Sequence, residues 1–253
     1  MKLTFLGTGT SQGIPVIGCN DKVCVSDDYR DKRLRSSVLI EWKHCAYVID
    51  CGPDFRQQML AAKVNELTGI LFTHYHADHT AGLDDIRPFS LKNGKVPFYA
   101  KKDVIANLKE RFNYIFTTKN KYLGAPNVQL YEIENRPLVI GNLQVIPIEV
   151  NHGKLKIFGF RFKNLAYITD AKTISKKELK KLLDLDVLVI NALRIDTHPT
   201  HLNLKESLEI IEQVKPKKAY LTHISHKLGF HAEVSKILPK NVYLANDGLI
   251  IEI

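Results

Sequence analysis

The segment Thr73-His74-Tyr75-His76-Ala77-Asp78-His79 constrains this chain more than any other feature. It places three imidazoles and one carboxylate within six residues, directly after the apolar run Ile70-Leu71-Phe72, which is typical of a buried strand. Burying these ionisable groups beside an apolar core costs free energy unless they share a binding partner. Because imidazole nitrogen and carboxylate oxygen are ligands of zinc, iron and manganese, the segment predicts a pair of metal ions.

The spacing within this segment also predicts two ligand positions. In extended chain that leaves a strand, His74 and His76 project to the same side. The turn into a following helix then brings Asp78 and His79 to a second position.

Three further candidate ligands come directly after predicted strands. His152 follows the strand that ends at Val150, Asp170 follows Leu165–Ile168, and His223 follows Ala219–Leu221. A single His or Asp at a strand end usually only caps a turn. Together with the first segment, however, these residues make seven ligands, which are enough for two metal ions with a bridging carboxylate.

Length and composition indicate one soluble domain. The 253 residues, 45% hydrophobic and 25% charged, fit a single metallo-hydrolase domain over 1–253. No stretch approaches the roughly 20 apolar residues of a membrane span. The start, Met1-Lys2-Leu3-Thr4-Phe5-Leu6-Gly7, becomes polar too quickly for a secretory signal, which predicts a cytoplasmic protein. The net charge of +9 favours anionic partners.

The apolar pattern alternates short strands with helices, which predicts an α/β fold of two sheets packed face to face with helices outside. The predicted strands are Leu3–Leu6, Val38–Glu41, Ala46–Ile49, Ile70–Thr73, Pro97–Ala100, Val128–Ile133, Leu143–Val150, Ile157–Phe162, Leu165–Thr169, Val187–Ile190, Ala219–Thr222, Val242–Leu244 and Leu249–Glu252. The predicted helices are Asp54–Ala62, Lys102–Phe112, Ser175–Leu183, Leu204–Val214 and His231–Leu238.

The sequence also allows predictions about helix caps, one long loop and surface residues. Asp54 and Ser175 are good N-cap residues for the helices that start there. The segment 113–127, which contains Lys119, is either a substrate lid or a plain connection. The basic run 172–181 is expected to form a solvated helix face, and His44 and His231 are expected at the surface.

The order of the ligand residues resembles the metallo-β-lactamase fold superfamily of dinuclear hydrolases. The resemblance runs nearly from end to end and implies a four-layer αββα sandwich. It implies two ligand sets, one for each metal ion, and a bridge between them: His74, His76 and His152; Asp78, His79 and His223; and Asp170 as the bridge. Asp50 matches the family's acidic residue behind the site, where it would orient a ligand imidazole.

Two further motifs look like the PhnP-like phosphodiesterases within this superfamily, close to the tRNA 3′-processing nucleases. They are 7–15, Gly-Thr-Gly-Thr-Ser-Gln-Gly-Ile-Pro, and 221–226, Leu-Thr-His-Ile-Ser-His. Those phosphodiesterases also carry a structural zinc on three cysteines and a histidine. Here Cys19, Cys24 and His226 match, but Asp21 stands in the middle cysteine position. A zinc site and a pair of reduced thiols therefore both stay open.

The segment Thr197-His198-Pro199-Thr200-His201 supplies the remaining candidates. By resemblance, His201 corresponds to the phosphodiesterase histidine that lies over the substrate phosphate. The alternative is that His201 caps the following helix, with Asn203 as a competing cap. For His198 the sequence supports only a place at the entrance. Asp78 and His201 are the residues expected to be catalytic.

The resemblance implies a dinuclear phosphodiesterase that cleaves a small, cyclic diester, such as a ribosyl cyclic phosphate or a cyclic nucleotide, with a metal-bridging hydroxide as the nucleophile. The metals would be zinc or manganese, or iron, with a further zinc if the cysteine site is occupied. The alternatives are a tRNA 3′-processing endoribonuclease and a lactone or thioester hydrolase. Nucleic-acid and membrane partners are not expected, and a homodimer is the default for a soluble enzyme.

Overall fold

The computed structural model describes residues 1–118 and 121–253. In these ranges two β-sheets lie between helices, as the strand and helix pattern predicts. The segment 113–127 is only partly described: a short helix covers Asn113–Phe116, and Lys119 lies outside the described residues. None of the helices in the described ranges has the length and apolar character needed to cross a membrane.

Seven strands from the described residues form the first sheet, in the order β15-β1-β2-β3-β4-β5-β6. They are β1 (Lys2–Gly7), β2 (Ser37–Trp42), β3 (Cys45–Ile49), β4 (Gly69–Leu71), β5 (Val96–Ala100), β6 (Val128–Glu132) and β15 (Ile250–Glu252). The strands from β3 to β6 run parallel, so their carboxyl ends lie along one edge.

The second sheet, within the same ranges, has eight strands in the order β11-β8-β9-β10-β12-β13-β14, with β7 beside β8. They are β7 (Leu138–Ile140), β8 (Leu143–His152), β9 (Leu155–Phe162), β10 (Leu165–Tyr167), β11 (Thr173–Ile174), β12 (Val187–Asn191), β13 (Lys218–Thr222) and β14 (Val242–Leu244). Here β10, β12, β13 and β14 are parallel. The short strands β7 and β11 were not predicted.

The helices lie between the strands along the chain. They are α1 (Phe55–Ala61), α2 (Ala77–Thr80), α3 (Arg87–Asn93), α4 (Lys102–Arg111), α5 (Asn113–Phe116), α6 (Lys176–Leu179), α7 (Leu204–Val214) and α8 (His231–Ile237). Short 3-10 turns cover Tyr29–Asp31, Leu83–Ile86, Lys180–Leu182 and His226–Leu228. The predicted helix Ser175–Leu183 is therefore split into α6 and a 3-10 turn.

The core between the sheets is built from alternate residues of the strands. Phe158, Phe160 and Phe162 of β9 point to one side of their sheet and pack in one cluster with Leu3 and Phe5 of β1. Side chains two positions apart on a strand share a face, so this packing joins the two sheets directly.

The opposite strand faces pack against helices. Leu188 and Ile190 of β12 form a cluster with Ile211 of α7, and Val48 of β3 and Phe55 of α1 belong to a third cluster. The layers are therefore helix, sheet, sheet and helix, which confirms the predicted αββα sandwich.

Two local predictions were wrong because tertiary contacts take the side chain. Asp54 does not cap α1: its carboxylate accepts from the backbone N–H of Arg35 at 2.8 Å and from its Nη1 at 3.0 Å. His231 is buried, not at the surface. In the basic run, Lys176, Lys177 and Lys180 are exposed, as predicted for a solvated face, whereas Lys181 is only partly exposed and donates to the carbonyl of Pro147 at 2.8 Å. Ser175, by contrast, caps α6 as predicted.

Candidate metal centre

The structure brings all seven predicted ligands to the edge where parallel strand ends of the two sheets meet. Ligand-type atoms within 4.8 Å of one another form four overlapping groups here: His74, His76 and His152; His74, His79 and Asp170; His152, Asp170 and His201; and Asp78, Asp170 and His223. Asp170 belongs to three of these groups and so lies between the others. Its position is the one that the resemblance implies for a bridging carboxylate.

The strand ends that carry these residues have an unusual backbone. Asp50, Asp170 and His223, which follow β3, β10 and β13, have φ values of 65°, 57° and 54°. A residue with a Cβ atom is rarely in this left-handed region, and each such residue costs on the order of 1–2 kcal/mol. Three of them at one site indicate that the fold positions these side chains at the expense of backbone strain.

The group of His74, His76 and His152 consists of three imidazoles that face one another. Nε2 of His74 lies 3.0 Å from Nδ1 of His76, and the ring of His152 lies 5.6 Å from the ring of His74 and 5.1 Å from that of His76. His74 and His152 are buried and His76 is half-buried. Ring nitrogens that converge in this way fit a shared cation.

The group that contains His79 has a buried polar atom without a hydrogen-bond partner among the described residues. Nε2 of His79 makes no hydrogen bond to any described residue, although it lies 3.1 Å from Asp78 Oδ2 and 3.3 Å from Asp170 Oδ2. A buried polar atom without a partner costs about 1–3 kcal/mol. A cation between this nitrogen and the two carboxylates would remove that cost, so the residues present fit a metal ion.

Hydrogen bonds behind the ligands orient the imidazoles. Nδ1 of His79 donates to Asp50 Oδ2 at 2.7 Å. Thr73 Oγ1 donates to the same carboxylate at 2.8 Å and lies 2.9 Å from Nδ1 of His74, so it accepts the Nδ1 hydrogen of His74. This arrangement leaves the Nε2 lone pair of His74 directed into the site.

On the second sheet, a threonine hydroxyl and a backbone carbonyl also contact candidate ligands. The sequence analysis predicted neither contact. Thr169 Oγ1 donates to Asp170 Oδ2 at 2.7 Å and lies 3.4 Å from Nδ1 of His223. Nδ1 of His152 faces the carbonyl of Thr200 at 2.9 Å. The signal in the sequence is a threonine directly before His74, Asp170 and His223, which is a weak one because threonine is common at strand ends.

The electrostatics favour a cation. Burial opposes the charge of Asp170, but the imidazoles of His223 and His79 hold the pKa of this carboxyl well below its usual value. Burial lowers the pKa of His74, and it lowers that of His223 to about 4. Deprotonated carboxylates and neutral imidazoles are the forms that bind metal ions.

His79 differs from the other imidazoles. Burial opposes a proton on this ring, but the charges of Asp78, Asp170 and Asp50 outweigh burial and raise the pKa of His79 well above its usual value. A metal ion that binds at Nε2 therefore has to displace a proton, which makes metal binding weaker in acid.

His201 lies over this cluster on the loop between β12 and α7. Its Nε2 is 3.0 Å from Asp170 Oδ1, and its ring stacks on that of His223 at 5.0 Å. It does not cap α7: Asn203 does so in a capping box with Glu206, which removes the alternative reading of this segment.

The candidate structural zinc site is only partly assembled as predicted. Cys19, Cys24 and His226 offer atoms within 4.8 Å of one another. Asp21 is turned away: its carboxylate accepts from the backbone N–H of Val23 at 2.9 Å, and its own N–H donates to Cys19 Sγ at 3.4 Å. Burial raises the pKa of the Cys24 thiol.

Comparisons with known proteins agree with this geometry. A family model described as beta-lactamase superfamily domain matches residues 46–224. The crystal structure of a diphosphatase of the PhnP family superposes with a TM-score of 0.93 at 40% identity, covering 100% of this chain and 97% of that one.

Several curated proteins match at the level of sequence. An octanoyltransferase of Porphyromonas gingivalis is 38% identical over 252 residues, which are 98% of this chain and 51% of that protein. A ribonuclease Z of Methanosarcina acetivorans is 29% identical over 145 residues, 56% of this chain and 40% of that protein. The chain spans about half the length of the curated relatives it matches.

Proposed function

Because the chain belongs to the beta-lactamase superfamily and, within it, to the PhnP family, we propose that it is a metal-dependent hydrolase of small phosphodiesters. A ribosyl cyclic phosphate or a cyclic nucleotide is the kind of substrate that we propose. The observation that carries this proposal is the position of Asp170, which lies between the two ligand groups with His201 directly over it.

We propose that His74, His76 and His152 hold one divalent ion, that Asp78, His79 and His223 hold the other, and that Asp170 lies between them. Nitrogen and carboxylate ligands suit zinc, manganese or iron. When bound, two such ions supply Lewis acidity and an activated water for an in-line attack on phosphorus.

The chain's own residues then act on the leaving group. Hydrolysis adds a hydroxyl group to phosphorus and a proton to the leaving oxygen. His201 Nε2 points into the site beside Asp170, so it is placed to give that proton. Asp50 and Thr73 keep the ligand imidazoles fixed while charge changes around them.

A second candidate is hydrolysis of a diphosphate, because the PhnP-family relative with 40% identity is described as a diphosphatase. The same ligand cluster serves either substrate, since both reactions break a P–O bond. The ribonuclease Z relative keeps the tRNA 3′-processing alternative in the test. The chain covers 51% of the octanoyltransferase, so the name of that relative does not decide the activity of the shared half.

The proposal is tested by metal content together with turnover of a panel of substrates. The panel contains bis(p-nitrophenyl) phosphate, 2′,3′-cyclic nucleotides, a nucleoside diphosphate ester, a precursor tRNA, a lactone and a thioester, each with added Zn²⁺ or Mn²⁺. We expect about two metal ions per chain at the proposed centre and turnover of the cyclic diesters. Turnover of the lactone or thioester alone would contradict the proposal.

We further propose that Cys19, Cys24 and His226 bind an additional zinc ion without Asp21. Zinc then takes three protein ligands at this position. The Cys24→Ser variant is expected to lose one zinc equivalent, whereas Asp21→Asn is expected to keep it. A third metal that is absent from the wild-type protein, or lost with Asp21→Asn, would contradict this assignment.

A further inference from the structure

His198 contacts His201 on the side of the ring that faces away from the ligand cluster. The two Nδ1 atoms are 3.1 Å apart, and the ring centroids are 4.9 Å apart at an interplanar angle of 62°. His198 lies on the same loop between β12 and α7 and is half-buried. Its hydrogen bonds and its ring contact join it to Thr200 and His201.

The hydrogen between these two nitrogens can be assigned from the backbone. The N–H of Thr200, which can only donate, lies 3.3 Å from Nδ1 of His198. Nδ1 of His198 is therefore an acceptor and carries no hydrogen. The contact between the two rings then requires that the hydrogen belongs to Nδ1 of His201.

The hydroxyl of Thr200 is consistent with the same assignment. Its Oγ1 lies 3.2 Å from Nδ1 of His198 and 2.9 Å from Nδ1 of His201, so it can accept the hydrogen that His201 carries on Nδ1. Burial lowers the pKa of His198, and the neighbouring charge of His201 adds to this effect, which agrees with a neutral acceptor ring.

We propose that His198 is a positioning residue for His201, which fixes the hydrogen on Nδ1 of His201 and so reserves Nε2 for the proton that passes to the leaving group. This inference rests on the proposed function. Without the acceptor, the His201 ring is free to flip or to carry its hydrogen on the other nitrogen, and a smaller fraction of molecules presents the reacting atom correctly.

Two variants of His198 separate this role from a merely structural one. Asn places an oxygen acceptor close to the position of Nδ1, so His198→Asn is expected to keep kcat within about threefold of the wild-type value. Leu offers no acceptor, so His198→Leu is expected to lose about tenfold in kcat on a 2′,3′-cyclic nucleotide, with KM and metal content unchanged.

The leaving group provides the sharper readout. An alkoxide needs a proton and p-nitrophenolate does not, so the defect of His198→Leu should nearly disappear with bis(p-nitrophenyl) phosphate. Adding His198→Leu to His201→Ala should cost nothing further. An equal defect of His198→Leu on both substrates, or a double variant that is much slower than His201→Ala, would overturn the inference.

A measurement without substrate keeps the inference separate from the proposed function. Two-bond ¹H–¹⁵N correlation spectra of the metal-loaded protein distinguish a hydrogen on Nδ1 of His201 from one on Nε2, with His201→Ala to assign the signals. We expect the Nδ1 hydrogen in the wild-type protein and in His198→Asn, and its loss or averaging in His198→Leu. An Nδ1 atom of His201 without hydrogen in the wild-type protein would overturn the inference even if no phosphodiester is cleaved.

Discussion

At the scale of single residues, threonine hydroxyls orient the imidazoles of the candidate metal centre. Thr73 Oγ1 donates to Asp50 and accepts from Nδ1 of His74. Thr169 Oγ1 donates to Asp170 and lies 3.4 Å from Nδ1 of His223. Each hydroxyl thus selects the histidine form whose Nε2 lone pair is available for a cation. The left-handed backbone of Asp50, Asp170 and His223 adds strain that a bound cation can offset.

Exchange of single residues at the centre should separate metal binding from catalysis. Asp170→Asn removes a charge from the point where the two groups meet, so we expect loss of metal and a fall in activity of more than about 100-fold. His201→Ala should keep the metal and slow turnover by about 10²–10⁴-fold, the range of a general acid. Metal analysis of both variants beside kcat tests this contrast, and a metal-free His201→Ala protein would contradict it.

A second residue-scale prediction concerns His231, which is buried beside a cation. Nη2 of Arg33 lies 3.1 Å from Nδ1 of His231, so this nitrogen must accept. Burial, with the charge of Arg33, lowers the pKa of His231 to about 4. Stability from this contact is full above the unfolded pKa of about 6.5 and is lost as pH falls from there toward 4.

The comparison is with His231→Asn, which keeps an acceptor but does not titrate. We expect the unfolding midpoint of the metal-free wild-type protein to fall further between pH 7.5 and pH 5 than that of the variant. Asp247, whose pKa burial raises to about 6, acts in the opposite direction but is present in both proteins. Equal losses in the two proteins would contradict the assignment.

At the scale of elements, short connections after the strands carry the chemistry. The helix α2 contains only Ala77–Thr80, yet its turn brings Asp78 into the group with Asp170 and His223, whereas His76 stays in the group with His74 and His152. A helix of one turn has no apolar periodicity, so no pattern in the sequence predicted its bounds. The ligand spacing nevertheless predicted that a turn is present there.

The cap of α7 links helix stability to the position of His201. Asn203 Oδ1 accepts from Glu206 N at 2.9 Å, and Asn203 Nδ2 donates to the carbonyl of Ile195 at 3.0 Å, which ties down the loop. We expect Asn203→Ala to lower the free energy of unfolding by about 1 kcal/mol and kcat by about threefold or more.

Ser175→Ala is the matched control for this prediction. Ser175 caps α6, where its side chain accepts from the backbone N–H of Glu178 rather than from the loop of His201. Thermal unfolding should show a loss of stability in both variants, while kcat should fall only in Asn203→Ala. An equal effect of the two changes on kcat would show that the cap does not position His201.

At the scale of the whole molecule, the centre joins the two sheets. The segment that contains His74, His76, Asp78 and His79 follows β4 of the first sheet, whereas the other proposed ligands follow or end strands of the second. The apolar layer that contains Phe158, Phe160 and Phe162 lies between the two sheets. A metal pair would therefore act as a link across the sandwich as well as in catalysis.

Removal of metal should then destabilise the whole fold. With free metal at about 100 times its dissociation constant, binding contributes about 2.7 kcal/mol, which corresponds to a fall of roughly 5–10 °C in the unfolding midpoint on chelation. Differential scanning calorimetry before and after chelation measures this shift. The chelator should leave the midpoint of Asp170→Asn nearly unchanged, and an equal shift in that variant would place the stabilising metal elsewhere.

The sequence alone predicted the proposed ligands, most of the strands and the layer order, because histidines and aspartates at strand ends and period-two apolar runs are local patterns. Only the tertiary structure decided where Asp54 and His231 point and showed that Asn203 rather than His201 caps α7. It also brought Thr73, Thr169 and His198 behind the reactive imidazoles. The physical reason is that a polar side chain takes the best partner within reach, and for Asp54, His231, Thr73 and Thr169 that partner comes from a distant part of the chain.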